Sequence, residues 1–282
     1  MIVVTGATGQ LGRLVIAALL KKTAATNIVA AVRNVEKAQG LAALGVHVRH
    51  ADYSQPASWD AALHGADKVL LISSSEIGQR TQQHRSVIDA AKRAGIKLLA
   101  YTSVLHADTS VLGLAAEHRE TEALLRASGV PFALLRNGWY TENYAAGIPT
   151  ALALGAVYGC AGDGRISSAT RADYAEAAAV VLTTNNQAGN VYELAGDNAY
   201  TLSEFAAEIS RQAGRAIGYV NLPEAEYKKA LLGAGLPEFL AELLANSDTG
   251  VSKGALFDEG QQLSTLIGRP TTTLATAVAA AL

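Results

Sequence analysis

The chain has 282 residues, half of them apolar, which is enough for a substantial core. Its 23 Lys and Arg against 25 Asp and Glu give a formal net charge of -2, and no basic run follows that would track a phosphate backbone, so nucleic acid is not an expected partner. A single cysteine, Cys160, excludes an internal disulfide framework and a cysteine-based metal cluster, and it reads as a small buried thiol in a reducing compartment.

The chain opens MIVVTGATGQ, with no basic region ahead of its short apolar run. It reads as a first strand rather than a secretory signal, and a cytoplasmic location is expected. No apolar run approaches the roughly 20 residues of a membrane helix, and the alanine-rich tail TTTLATAVAAAL is too short and too weakly hydrophobic to span, so membrane insertion is not expected.

From the first strand onward one pattern repeats: a short β-branched apolar run, a turn, then a segment of helical periodicity. The runs are MIVVT, NIVAAVR, VHVRHADY, KVLLIS, IKLLAYTS and PFALLRN, and the helical stretches are Leu11 to Lys22, Val35 to Leu44, Ser58 to Leu63, Arg80 to Ala94 and Leu114 to Ala127. Six strand signals separated by five helices predict a doubly wound α/β fold, a parallel Rossmann sheet whose buried strands are apolar on both faces. Residues 1–136 form this dinucleotide-binding domain.

After Asn137 the rhythm loosens, and residues 137–282 read as a smaller substrate lobe with returning elements, about 172–196, that pack on the Rossmann sheet. NGWYTENYAAGIPTALALG is helical but irregular, and CAGDGRISSATRADY is a loop that opens a helix over Asp173 to Leu182. VYELAG is a further strand. Thr201 with Glu204 three residues on is a capping-box pattern opening another helix.

The first turn carries Gly6-Ala7-Thr8-Gly9-Gln10-Leu11-Gly12, with G-x-x-G-x-x-G spacing. A helix amino terminus leaves unpaired N–H groups and a partial positive charge, so a strand that enters a helix through glycines seats a pyrophosphate there. Glycines permit the tight turn, the approach of the ligand to the backbone, and the close packing of helix on strand. Alone the motif also fits an ordinary turn, but its position directly after the first strand and ahead of an amphipathic helix meets the fingerprint's structural requirement.

The second strand ends at Arg33, where NAD-binding chains place Asp or Glu against the ribose 2'-hydroxyl. A guanidinium pairs instead with a 2'-phosphate, which points to NADP; a plain solvated charge is the alternative. Asp52 and Tyr53 end the third strand, on the adenine side, and Ser73, Ser74 and Ser75 end the fourth, near phosphates and ribose. Topology favours these positions, since ligands bind outside the carboxyl ends of the strands.

TGATGQLG, the basic residue after the second strand, the LLRNGWYTENY segment and the T-R-A-D-Y-A helix start together resemble the NmrA-like branch of the atypical short-chain dehydrogenase/reductases, over essentially the whole chain. The resemblance implies hydride transfer from NADPH to a quinone, with no metal and no flavin. Relatives of this kind include NADP(H)-binding redox sensors that act through a protein partner, which is the second reading. Ordinary members of the superfamily use Ser, Tyr and Lys, a phenol protonating the carbonyl oxygen. Here Ser103 matches the serine, the tyrosine position falls on Leu114 and the lysine position on His118. A quinone accepts hydride readily and its reduced oxygen takes protons from water, so the task left to the protein is positioning.

Asn137, Gly138, Trp139 and Tyr140, after the sixth strand, are the candidates for the nicotinamide end, and His118 and Tyr140 are the candidate catalytic residues. Trp139, Tyr140 and Tyr144 either offer faces to a flat ring or pack beneath the carboxyl lobe. His118 binds ribose hydroxyls in place of lysine, or relays a proton, or is a solvated or capped helix histidine.

Overall fold

The computed structural model describes residues 1–282. In the first half the elements are β1 (Ile2–Val4), α1 (Gln10–Leu20), β2 (Ile28–Val32), α2 (Gln39–Ala43), β3 (His47–His50), α3 (Ser58–Ala62), β4 (Lys68–Leu71), α4 (Arg80–Arg93), β5 (Leu98–Val104), α5 (Ala115–Ser128) and β6 (Phe132–Asn137). The second half adds α6 (Thr141–Ala145), α7 (Ile148–Leu154), β7 (Ala156–Gly159), α8 (Arg171–Thr183), β8 (Val191–Leu194), α9 (Leu202–Ala213), β9 (Gly218–Asn221), α10 (Glu224–Gly233), α11 (Glu238–Ser252), α12 (Gln262–Ile267) and α13 (Leu274–Ala281). The chain divides into two compact units: residues 1–107, 116–137 and 171–192 form the first, and 108–115, 138–170 and 193–282 the second. Segment 108–115, which lies inside the sequence-based boundaries of the Rossmann domain, is thus part of the second unit.

The seven-stranded sheet runs in the order β3-β2-β1-β4-β5-β6-β8. β1 lies between β2 and β4, Ile2 in register with Ile28 on one side and Lys68 on the other, and all three strands run parallel. The strand order reverses here, so the carboxyl ends of β1 and β4 flank the crevice in which ligands of doubly wound sheets bind. Every residue of β1, β2 and β5 is buried, as parallel strands covered on both faces require. β3 sits at the edge, where HVRH is tolerated because its side chains reach solvent.

One face packs Val3, Val29, Val69, Leu71, Leu99 and Leu134 against Trp59, Val87, Ile88 and Leu125 from the helices. Truncating any of these to Ala removes about 2–5 kcal/mol, since the close-packed surroundings relax only partly. In the same unit α1 packs against α8, whose alanines at 175, 178 and 179 are fully buried and bring the two backbones close.

In the second unit β7 and β9 pair in parallel, Ala156 with Gly218, and α9 packs on both strands. The capping box that opens α9 is formed: Thr201 Oγ1 accepts from Glu204 N–H at 3.1 Å and Glu204 Oε2 accepts from Thr201 N–H at 2.7 Å. α10 packs on α11, and α13 on α6 and α9. Two expectations shift. The helical reading of NGWYTENY begins only at Thr141, because Tyr140 is extended and bridges Ala169, and the stretch from Val35 starts as a 3₁₀ turn over Glu36–Ala38 before α2.

Candidate functional site

Gly6 adopts φ +56°, a left-handed conformation costly for residues with a Cβ, and Gly9 then caps α1 in extended geometry with no side-chain bond to the helix amino terminus. The first N–H groups of α1 are left for an anion. At Gly12 a Cβ would stand 2.7 Å from Ala7 Cα, so only glycine lets the helix lie this close to the turn. Gly9 and Gln10 are exposed and Thr8 is half-buried. Ala7 and Leu11 send their side chains into the core, so these two predicted contacts reduce to main-chain groups. Arg13, which the sequence reading passed over, donates from Nε to Thr8 O at 2.9 Å and steadies the turn.

Arg33 follows β2 with its side chain 73% exposed, and its guanidinium lies 3.7 Å from Glu76, itself in the segment after β4. A pair this open is worth little and leaves the cation available to a phosphate. Asp52, after β3, is held below the ordinary carboxylate range: burial opposes the shift, but the Ser54 hydroxyl and N–H and the nearby Arg33 charge outweigh it.

The segment after β4 is fixed by side chains from the turns after β1 and β3 and from β5 and α4. Ile72 N–H donates to Thr5 Oγ1 at 2.9 Å, the Tyr53 hydroxyl donates to Ile72 O at 2.6 Å, and Ser73 N–H donates to Thr102 Oγ1 at 2.8 Å. Ser74 is buried and its hydroxyl donates to Gln83, whereas Ser73 is half-buried and Ser75 exposed. Of the three predicted serines, only Ser73 and Ser75 present side chains outward; that of Ser74 belongs to the scaffold.

Ser103 Oγ donates to Glu122 Oε1 at 2.6 Å, and Glu122 is gripped by Arg136 through Nε at 2.9 Å and Nη2 at 2.6 Å. The residue at the superfamily's serine position is therefore turned into a buried ion pair. His118 Nδ1 lies 2.7 Å from the Tyr101 hydroxyl. Burial first, then the charge of Arg80, pushes the His118 imidazole well below its usual range, so it stands neutral where ordinary relatives carry a lysine cation. Burial likewise raises the Tyr101 phenol, which is fully enclosed.

Asn137 ends β6 buried at 5% exposure, and its Oδ1 has no hydrogen-bond partner. An orphaned buried carbonyl is costly unless a donor arrives, and a carboxamide N–H is such a donor. Gly138 N–H donates to Leu194 O at 2.7 Å, Trp139 is buried, and Tyr140 is half-buried at the head of α6. Tyr144 is engaged already: its hydroxyl donates to Asp248 Oδ1 at 2.9 Å and its ring tilts on Phe205. Asp248 was not legible in the sequence. It accepts the Cys160 N–H at 3.1 Å, and burial lifts its carboxyl to about 6, against the opposing pull of those two donors.

A sheet with this strand order, a glycine turn that leaves a helix amino terminus uncapped and an exposed arginine after β2 define a dinucleotide-binding oxidoreductase fold of the Rossmann class. The chain belongs to the NmrA-like family, whose model matches residues 1–274. It is 59% identical over 278 residues to Quinone oxidoreductase 2 of Escherichia coli K12, covering 99% of this chain and 97% of the relative. The crystal structure of the E. coli NADPH-dependent quinone oxidoreductase complexed with NADPH superposes with a TM-score of 0.98 over 99% of both chains. Citrobacter sp. triphenylmethane reductase complexed with NADP(H) matches at 40% identity and a TM-score of 0.97, over 100% of both chains. No helix is long and apolar enough to cross a membrane.

Proposed function

We propose that this protein is an NADPH-dependent quinone reductase. The observation that carries the reading is the 59% identity to a quinone oxidoreductase across nearly the full length of both chains. The site fits the cofactor: a glycine turn, an uncapped helix and the orphaned Asn137 oxygen each lack the partner that a dinucleotide would supply, and Arg33 stands exposed with only a weak, open contact to Glu76. NADPH, when bound, supplies a hydride from its nicotinamide ring.

The main-chain groups of Gly6, Ala7, Thr8, Gly9, Gln10 and Leu11 hold the pyrophosphate, Arg33 the 2'-phosphate, and Ser73 and Ser75 the phosphate and ribose side, on a turn that Ser74 anchors. Asn137, Gly138, Trp139 and Tyr140 hold the nicotinamide end, with Tyr140 orienting the acceptor. We assign no proton transfer to Ser103 or His118. The first is committed to Glu122, and the second is a neutral imidazole tied to Tyr101. A quinone makes this workable, because its reduced oxygens take protons from water and the protein has only to align and enclose the reactants. The sensor reading, in which the chain acts through a protein partner, is not favoured. The free, buried Cys160 suits a reducing compartment, and we place the protein in the cytoplasm.

Mixing the purified protein with NADPH and a simple benzoquinone tests the assignment. NADPH oxidation well above the uncatalysed rate is expected, and turnover no faster than background overturns it.

A further inference from the structure

Ser74 is held by one face of α4. Arg80 Nε donates to Ser74 O at 2.7 Å, Ser74 N–H donates to His84 Nε2 at 2.9 Å, and the Ser74 hydroxyl donates to Gln83 Oε1. The spacing 80, 83, 84 puts these three side chains on one stripe of the helix, and all are buried, His84 completely. A buried polar stripe on a helix is expensive unless its members find partners, and here all three side chains converge on the N–H, carbonyl and hydroxyl of one residue, while Gln83 Nε2 also donates to Glu76 in the same segment at 2.7 Å and Arg80 faces Glu117 at 3.5 Å.

The histidine's tautomer follows from its partners. Because Nε2 accepts, the ring proton is on Nδ1, which donates to Thr121 Oγ1 at 2.9 Å, and the Thr121 hydroxyl donates onward to Glu117 O at 2.9 Å in α5. Protonation would turn Nε2 into a donor facing the Ser74 N–H. Burial and the adjacent Arg80 charge hold the imidazole at about 3, so it stays an acceptor throughout the neutral range.

We propose that His84 is a positioning residue for NADPH: with Arg80 and Gln83 it clamps the Ser74 peptide and thereby fixes the turn that carries Ser73 and Ser75. The proposal rests on the reading that this turn borders the cofactor. His84 is fully buried behind the turn and acts on the cofactor only through it. Its effect passes through the turn, so it appears in NADPH affinity and not in the rate at saturation.

His84→Leu keeps the volume and removes the acceptor. It should raise the NADPH dissociation constant about tenfold while kcat at saturating NADPH stays within about threefold of wild type, the split expected when binding alone is weakened. His84→Gln places an amide oxygen near the lost Nε2 and should restore affinity to within about threefold. Thr121→Val retains the imidazole but releases its tautomer, giving a smaller rise that needs no change at residue 84. Hydrogen exchange over residues 73–79 separates the two claims. NADPH should slow exchange there in wild type, and His84→Leu without nucleotide should speed it. If NADPH leaves that exchange unchanged, the reading of the turn fails and the proposal with it. If NADPH protects the turn but folded His84→Leu neither loosens it nor weakens NADPH binding, or if His84→Gln is as impaired as His84→Leu, the clamp is refuted while the cofactor site stands.

Discussion

In the first unit the buried Glu122 carboxylate meets the Arg136 guanidinium at 2.6 Å, whereas in the second the buried Asp248 carboxylate is held by a phenol and a main-chain N–H. Both acids are nearly inaccessible. The first is held by two hydrogen bonds from a buried guanidinium, and the second is lifted towards neutrality by desolvation that neutral donors only partly offset. The difference separates two kinds of interior: a scaffold whose buried carboxylate is matched by a cation, and a lobe whose core carries a carboxyl raised to about 6 with no cation beside it.

The largest effect is expected at Arg136. Arg136→Met removes the two-pronged partner of the buried Glu122 carboxylate and leaves it only Ser103 and the half-exposed Arg126 at 3.5 Å, so stability should fall by about 3–5 kcal/mol, measured from the urea midpoint. Arg33→Asp acts on binding instead. It removes the guanidinium and sets a second carboxylate beside Glu76, so NADPH affinity should drop by about 2–3 kcal/mol in a fluorescence titration while NADH affinity changes little.

Asp248→Asn sharpens the contrast through pH. The folded-state value near 6 lies above the ordinary 3.8, so between them the folded chain keeps a proton that the unfolded chain has released. Wild-type stability attributable to this group is therefore full below about 3.8 and lost as pH rises to about 6, at up to roughly 1.4 kcal/mol per pH unit. Melting curves of wild type minus Asp248→Asn should show the wild type gaining as pH falls from 7 to 4.5; a pH-independent difference removes Asp248 from the titrating set. The smallest effect is expected at Ser103. Ser103→Ala loses one hydrogen bond to Glu122, about 1 kcal/mol, with quinone reduction within about threefold of wild type.

The parts of the molecule legible in the sequence are those with local signals. Apolar runs alternating with amphipathic segments announce the parallel sheet, and the glycine turn and Arg33 stand in consecutive β-α units. β7 and β9 gave no such signal, because AVYG and GYVN each set one Val and one Tyr beside a glycine and lack the apolar run that marks strands of similar length such as KVLL. Asp248 meets Tyr144 across 104 residues of sequence, a pairing that no local pattern encodes. The clamp on Ser74 lies between these cases. Arg80, Gln83 and His84 share a stripe with buried Val87, and polar residues at such positions signal an internal partner without identifying it.

Hydride reaches the quinone, on the proposed mechanism, from a site that aligns the reactants without a side-chain acid. The double variant Ser103→Ala, His118→Gln, assayed for NADPH-dependent benzoquinone reduction from pH 6 to 8.5, addresses it most directly. A kcat within about tenfold of wild type and flat across that range is the expected result, whereas a loss of about a thousandfold that follows a titration would show that one of these groups transfers the proton.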